Sequence, residues 1–234
     1  MNTKKVIVIV SGGMDSATLL YKVITDGLEP YAVSFNYGQR HVKELDYAKR
    51  FCSSLGIDHK VVDLSAILPL IQGSSLTSSD IEVPHGHYAA DNMKSTVVPN
   101  RNMIMLSIAV GYAVSIGAGT VYFGAQSGDN SQYRDCRPEF LDRMDRVTSI
   151  ANEVLVHIEA PFIHMSKTDT VKLGLKLGIK YAGAWSCYEG KERPCLRCGA
   201  CSERAVAFRD NQVADPLLTP EEWKEALQIV EGVV

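Results

Sequence analysis

The chain has no apolar run approaching the roughly 20 residues needed to span a bilayer, so a membrane-embedded protein is not expected. It also lacks an excess of positive charge. The 24 Lys and Arg residues are outnumbered by 27 Asp and Glu, leaving a formal net charge of −3. Basic residues are scattered, so the electrostatic footprint of a nucleic-acid binder is missing. Internal repeats and low-complexity tracts are absent too. The opening MNTKKVIVIV has the charge and apolar run of a secretory leader, but the run is short and no A-x-A site follows. The expectation is a cytoplasmic protein. Cysteine is sparse outside one place: Cys52 and Cys136 stand alone, whereas Cys187, Cys195, Cys198 and Cys201 fall together. In a reducing compartment such a cluster favours a metal over disulfides.

What is present is ordinary globular composition. The 234 residues are 46% hydrophobic and 22% charged, enough for one large domain with a small appendage. Strand-like runs rich in valine and isoleucine fall at 6–10, 31–35, 59–62, 120–123 and 156–159. Helical spacing occupies 17–24, 41–55, 102–116, 138–154 and 168–177. Gly27, Gly56, Gly117 and Gly178 follow helical runs, where a left-handed residue closes a helix. Strands alternating with helices predict an α/β, Rossmann-like, parallel five-stranded sheet covered by helices on both faces. The segment from Pro69 to Pro99 is polar and aperiodic, which suggests a lid or an oligomer contact rather than a disordered insertion. Beyond residue 180 the character changes. An α/β domain over 1–180 and a helical four-cysteine region over 181–234 are expected, the latter ending in a helix capped by Thr219 with Pro220 at its first position.

The most informative stretch is SGGMDS at 11–16, between the run VIVIV and the helical ATLLYKVI. A capped turn is the plain reading. A Gly/Ser turn after a buried strand does more, however: it gathers several backbone N–H groups beside the positive end of the next helix, making an anion site suited to phosphate. Asp15 would repel phosphate unless magnesium lies between or the carboxylate braces the loop. The spacing matches neither the Walker loop nor the dinucleotide fingerprint. The four cysteines follow C-x7-C-x2-C-x2-C, which fits a closed tetrahedral zinc site, with an iron–sulfur cluster as the rival.

SGGxDS after a first strand resembles the signature of the PP-loop ATP pyrophosphatases, whose fold is of the adenine nucleotide alpha hydrolase type. Five further stretches resemble one branch of them, the 7-cyano-7-deazaguanine synthase (QueC) family. They are SFNYGQRHVKEL, VVPNRNMIMLSIA, DCRPEFLDRM, APFIHMSKTDTVKLGLKLG and WSCYEGKERPCLRCGACSERAVAF. The resemblance covers nearly the whole chain. It implies ATP-dependent adenylation of 7-carboxy-7-deazaguanine with release of pyrophosphate, attack by ammonia to give an amide, and a second activation that yields the nitrile. It also implies ATP, Mg2+ and one structural Zn2+ per chain, and a homodimer.

On that resemblance, Ser11, Gly12, Gly13, Met14, Asp15 and Ser16 hold pyrophosphate and magnesium. Lys167 adds positive charge at the same end of the sheet, its alternative being a solvated lysine. Arg101 meets phosphate or the substrate carboxylate, since its fork suits bidentate anions; a surface ion pair is the alternative. Asp15, Lys167 and Arg101 are the expected catalytic residues. Phe35 and the residues after it lie at a strand's carboxyl end, where α/β folds bind ligands, and are placed to read adenine. Tyr37, Gln39, Asn102, Asp135 and Arg137 are the remaining substrate-binding candidates, and Cys187, Cys195, Cys198 and Cys201 the zinc ligands. Cys52 is read as core. His41, His85, His87 and His164 receive no catalytic role.

The chain departs from the family pattern near the acceptor side. The usual D-[YF]-S-G-Y-P-D-C-R is here 129–137, DNSQYRDCR; P-G-R-N becomes Pro99-Asn100-Arg101-Asn102, and G-V-N becomes Gly124-Ala125-Gln126. These changes motivate a second hypothesis: a QueC-like antiviral-defence enzyme that joins deazaguanine to an amine of a protein or other macromolecule. Less favoured are a tRNA-modifying PP-loop ligase, which the scattered basic residues count against, and a non-catalytic zinc-bearing binding module.

Overall fold

The computed structural model describes residues 4–86 and 91–232; His87, expected as a loop residue, lies outside the described residues. Five strands form one parallel sheet: β1 (Lys5–Ile9), β2 (Glu29–Asn36), β3 (His59–Asp63), β4 (Thr120–Tyr122) and β5 (His157–Glu159). Their order is β3-β2-β1-β4-β5, so the chain winds outward from β1 in one direction and then returns to wind in the other. Helices α1 (Met14–Thr25), α2 (Glu44–Ser54), α3 (Arg101–Ile116), α4 (Pro138–Ala151) and α5 (Lys167–Lys176) follow successive strands. Each expected strand and helix is present, with ends shifted by a few residues. Helices α6 (Gly199–Asp210) and α7 (Pro220–Val230) complete the C-terminal region.

Strand β1 is central because both its faces are apolar. Val6, Val8 and Val10 pack with Leu19, Leu20 and Val23 of α1 and with Ala48 and Cys52 of α2. Ile7 turns to the other face, against Leu106, Ala109 and Val110 of α3. Period-two alternation in the strand thus feeds two separate cores, one per helical layer. Reversal of strand order between β1 and β4 opens a crevice at the carboxyl ends of those strands, the place where open α/β sheets bind ligands.

The four glycines expected to close helices all take positive φ. Helix α5 starts sharply because Ser166 and Asp169 form a capping box: the Ser166 hydroxyl accepts the Asp169 N–H at 3.1 Å, and the Asp169 carboxylate accepts the Ser166 N–H at 3.1 Å. That box fixes Lys167 as the first helical residue. Thr219 and Glu222 cap α7 in the same way, with Pro220 at the first position as expected.

The described parts of the aperiodic segment are packed. Leu76, Val83, Met93 and Val98 are buried, and the Arg40 guanidinium donates to the carbonyls of Ser78 and Ile81 at 2.5 and 2.9 Å. Beyond them His85 pairs with Cys198 in an isolated antiparallel bridge, and the Gly86 N–H donates to the Arg197 carbonyl. The segment therefore straps the β2 end of the crevice to the cysteine cluster. Burial of single side chains gives a first test. Leu20 is fully buried between sheet and α1, whereas Leu70 is 83% exposed. In urea denaturation Leu20→Ala is expected to cost about 3 kcal/mol, and Leu70→Ala under about 0.5 kcal/mol.

Candidate active site

Chain turns at the end of β1 make the first wall of the crevice. Gly12 adopts φ +95°, and a Cβ there would lie 2.0 Å from the Glu44 carbonyl oxygen. Only glycine lets the loop press against the start of α2 in this way. The Gly12 carbonyl accepts the Trp185 N–H at 2.9 Å, so the same residue also touches the C-terminal region. Ser11 and Ser16 hydroxyls face each other at 3.2 Å and receive the N–H groups of Gly13 and Gly12. Gly13 is the N-cap of α1 and provides no side-chain cap. The first-turn N–H groups therefore open toward the cavity with the positive end of the helix dipole behind them.

A cavity of about 240 Å³ lies in front of this loop, with Ser11, Gly13, Met14, Asp15, Ser16, Phe35, Tyr37, Arg101, Asn102 and Lys167 in its wall. Gly12, Gln39, Asp135 and Arg137 are not part of that wall. Lys167 reaches across from α5 to Asp15 Oδ2 and lies 3.3 Å from Glu203 Oε2. Burial by itself would pull the Lys167 ammonium down, but Asp15, Glu203 and Asp129 outweigh it and hold the group above the usual lysine range. Burial lifts Glu203 to about 7 against the opposing pull of Lys167. Asp15 Oδ1 is buried and has no hydrogen-bond partner among the described residues. Such an oxygen is costly to leave bare, and it is the atom a cation would take.

Arg101 opens α3 on the opposite wall. Its guanidinium carbon sits 5.8 Å from the ring centres of both Tyr37 and Tyr133, and Nη1 donates to the Tyr37 hydroxyl at 3.4 Å. Among the described residues no carboxylate lies within ion-pair distance of it. A cation walled by aromatic rings without an acid partner is suited to an incoming anion. Burial pushes the Tyr37 phenol up to about 12, so it stays a neutral donor. Asn102 also lines the cavity, and its N–H is accepted by Asp135 at 3.2 Å, which places Asp135 behind the start of α3. Gln39 is buried beneath the wall, accepting the Tyr37 N–H at 2.9 Å and donating to the Phe35 carbonyl and to Glu44. Arg137 is exposed as the N-cap of α4.

The cysteine cluster assembles as its spacing suggests. The sulfurs of Cys187, Cys195, Cys198 and Cys201 all lie within 4.8 Å of one another, and none is in a disulfide. The Cys195 N–H donates to Cys187 Sγ and the Cys198 N–H to Cys195 Sγ, at 3.3 and 3.2 Å. Hydrogen bonds from Cys195, Cys198 and Cys201 draw the Cys187 thiol well below the usual thiol range. This geometry is compatible with a four-thiolate metal ion. Cys198 is also the N-cap of α6, so the cluster sets the direction of the helix that carries Glu203. Trp185, Ser186, Tyr188 and Ala200 from the same region line the cavity.

Residues with no role expected from sequence complete the site: His41, Glu44, Asp129, Tyr133, Tyr188 and Glu203. Glu203 carried one readable signal, being a carboxylate two residues after a clustered cysteine. His41 and Glu44 stand inside SFNYGQRHVKEL, a stretch whose place at a strand end pointed to backbone contacts rather than to these side chains.

A family model described as queuosine biosynthesis protein QueC matches residues 5–212. The chain belongs to the QueC family. It is 58% identical to a 7-cyano-7-deazaguanine synthase of Pseudoalteromonas atlantica, over 92% of this chain and 98% of the relative. It is 57% identical to one from Alteromonas mediterranea, over 92% and 98%. The solved NMN synthetase of Francisella tularensis is similar in fold, with a TM-score of 0.51 at 14% identity, covering 99% of this chain and 85% of that one.

Two departures from the QueC pattern have a physical account. Asn100 stands where glycine is usual and takes φ 56°; asparagine is among the few side chains that tolerate this. Gln126 is fully buried with its needs met: its Oε1 accepts the Gly128 N–H at 2.9 Å, and its Nε2 donates to Glu203 at 3.1 Å. Gly12 supplies the test for this site. Gly12→Ala suffers both strain and collision and is expected to lose about 3 kcal/mol in urea denaturation. Gly27→Ala, with positive φ but nothing near its Cβ, should lose only about 1 kcal/mol.

Proposed function

We propose that this QueC-family protein is a 7-cyano-7-deazaguanine synthase. It adenylates 7-carboxy-7-deazaguanine with ATP, releases pyrophosphate, and uses ammonia to convert the activated carboxyl to the amide; a second ATP then activates the amide oxygen, whose loss gives the nitrile. The observation that carries the reading is the pairing, across one cavity, of an uncapped helix N-terminus with an arginine that has no acid partner among the described residues. The first suits polyphosphate, the second a carboxylate.

In this reading the N–H groups of the 11–16 loop and the Ser11 and Ser16 hydroxyls hold the β- and γ-phosphates. Asp15 would hold magnesium through Oδ1, the oxygen that lacks a partner. A magnesium ion held there would supply positive charge against the charge developing on the leaving pyrophosphate. Lys167 stabilises the same charge from the α5 side. Arg101, steadied by Tyr37 and Tyr133, orients the substrate carboxylate toward the α-phosphate. Phe35 lines the adenine side, and Asn102, held by Asp135, frames the deazaguanine. Cys187, Cys195, Cys198 and Cys201 would hold zinc in a closed structural site. The 1–180 and 181–234 portions then serve a single reaction, in a cytoplasmic homodimer.

The experiment is direct. Protein incubated with 7-carboxy-7-deazaguanine, ATP, magnesium and ammonium is expected to yield AMP, pyrophosphate and a product with the nitrile mass. Asp15→Asn and Lys167→Met should each lower turnover at least ~100-fold. Product that stops at the amide, or that appears only on a protein acceptor, would instead support conjugation of deazaguanine to a macromolecule. Elemental analysis of the purified protein is expected to find zinc and no iron, with no visible absorption from a cluster.

A further inference from the structure

The adenylation half of this reaction uses the loop, Lys167 and Arg101, and leaves one buried pair of titratable groups in the same cavity without work. His41 and Glu44 both line the cavity wall, as do Tyr37 and Trp185. Their closest atoms, His41 Nε2 and Glu44 Oε1, are 3.5 Å apart, with side chains only 6% and 11% exposed. His41 Nδ1 is buried and has no hydrogen-bond partner among the described residues. Glu44 Oε1 takes the Gln39 amide, at 3.2 Å. The Tyr188 ring lies against the imidazole, with ring centres 5.6 Å apart.

A pair of this kind is poorly explained by stability. An imidazole nitrogen buried without a partner is unfavourable, and a carboxyl buried beside it, with no lysine or arginine of the described residues within ion-pair distance, adds to the cost. The backbone shows how firmly the pair is placed: the Glu44 carbonyl abuts Gly12 of the phosphate loop, and Gln39 braces both the Tyr37 backbone and the Glu44 carboxyl. The Glu44 backbone is therefore held against the 11–16 loop, and the residue lines the same cavity as Asp15, Arg101 and Lys167.

We propose that Glu44 is the proton acceptor for the ammonia nitrogen, and that His41 positions both the acid and the incoming amine. The inference rests on the synthase reading above. In the first step the nitrogen lone pair attacks the acyl carbon of the adenylate and a C–N bond forms. One N–H proton passes to the Glu44 carboxylate, and the C–O bond to AMP breaks with both electrons leaving on the phosphate. In the second step the amide oxygen has been adenylated. The resulting imidate carries two N–H protons: Glu44 takes one, leaving the imidate neutral, and then takes the second, whose electron pair completes the C≡N bond as AMP leaves with the C–O pair. Each proton then passes from Glu44 to water.

The electrostatics agree. Burial lifts Glu44 to about 8, against weaker opposing effects of the Gln39 hydrogen bond and Arg101. That places its basicity near the working pH and near that of ammonia, the condition for efficient proton transfer. Burial, aided by Arg101, lowers His41 to about 3, so the imidazole stays neutral and offers a lone pair rather than a repelling charge to the amine. Among the described residues the phenols of Tyr37 and Tyr188 also face the pair, and Arg101 is the charged group that acts on both members.

The test separates the two half-reactions. Substrate-dependent exchange of labelled pyrophosphate into ATP reports adenylation without any amine. Ammonia-dependent amide and nitrile report the proposed step. Hydroxylamine, largely unprotonated at neutral pH and strongly nucleophilic, needs far less help with its proton. Glu44→Gln is expected to retain exchange within about threefold, to lose ammonia-dependent product about 100-fold, and to lose hydroxamate formation less than tenfold. His41→Asn should give the same pattern with a smaller loss. Equal losses with ammonia and hydroxylamine, loss of exchange alongside them, or no loss with ammonia would each overturn the role of Glu44. Absence of exchange in the unmodified protein would overturn the synthase reading itself, and this inference with it.

Discussion

One buried ammonium holds the site together. Lys167 leaves water and would pull apart the region that buries it, were it not for Asp15 from the 11–16 loop and Glu203 from α6. Each partner comes from a different part of the chain, so a single cation fixes the relative positions of β1–α1, α5 and α6. Buried ion clusters of this type contribute little net stability, because desolvation consumes most of the attraction. Their effect is on geometry. Here the arrangement leaves one carboxylate oxygen of Asp15 bare, and the capping box at Ser166 ensures that Lys167 arrives at the first turn of its helix.

Behind that centre stands a second anchor. Arg204 and Asp215 form a bidentate pair at 2.6 and 2.7 Å, both almost entirely buried, and the guanidinium also donates to the carbonyls of Ala184 and Tyr181. The 181–186 stretch is thereby fixed, and with it the Trp185 N–H that reaches Gly12. Lys43, at the foot of α2, lies 4.0 Å above the Trp185 ring and donates to the carbonyls of Lys191 and Glu192. The cysteine-bearing region is joined to the phosphate loop and to α2 at once. It forms part of the wall that surrounds the chemistry.

Sequence made the scaffold and the turn at 11–16 readable because both depend on local rules: alternation in β1, glycine at helix ends, and Gly-Gly before a helix. The cysteine cluster was readable by spacing. Lys167 and Arg101 could be named because each opens a helix in a stretch shared with a family. Asp129 and Tyr133 were not readable, and Glu203 only by its nearness to a clustered cysteine, since their importance comes from which element lies opposite them. A glutamate on α6 looks solvated until α5 places Lys167 beside it. Gln39 and Asp135 were expected at the substrate and stand one layer back, holding Tyr37, Glu44 and Asn102. Side-chain identity alone does not distinguish a wall from its brace. His41 and Glu44 follow the same rule: nothing local in RHVKEL marks an imidazole that will be buried with one nitrogen unpartnered.

The contribution of α6 to the cavity also bears on how the molecule comes into being. A ribosome delivers the phosphate loop first and Trp185, Ala200 and Glu203 last, while Lys167 emerges only shortly before them. Until the segment through residue 203 has emerged and the four sulfurs have gathered, the loop is uncovered on that side and Lys167 lacks Glu203. A nascent chain can therefore complete its five strands, the last ending at Glu159, before α6 closes the cavity, so folding of the sheet and assembly of the site are separate events.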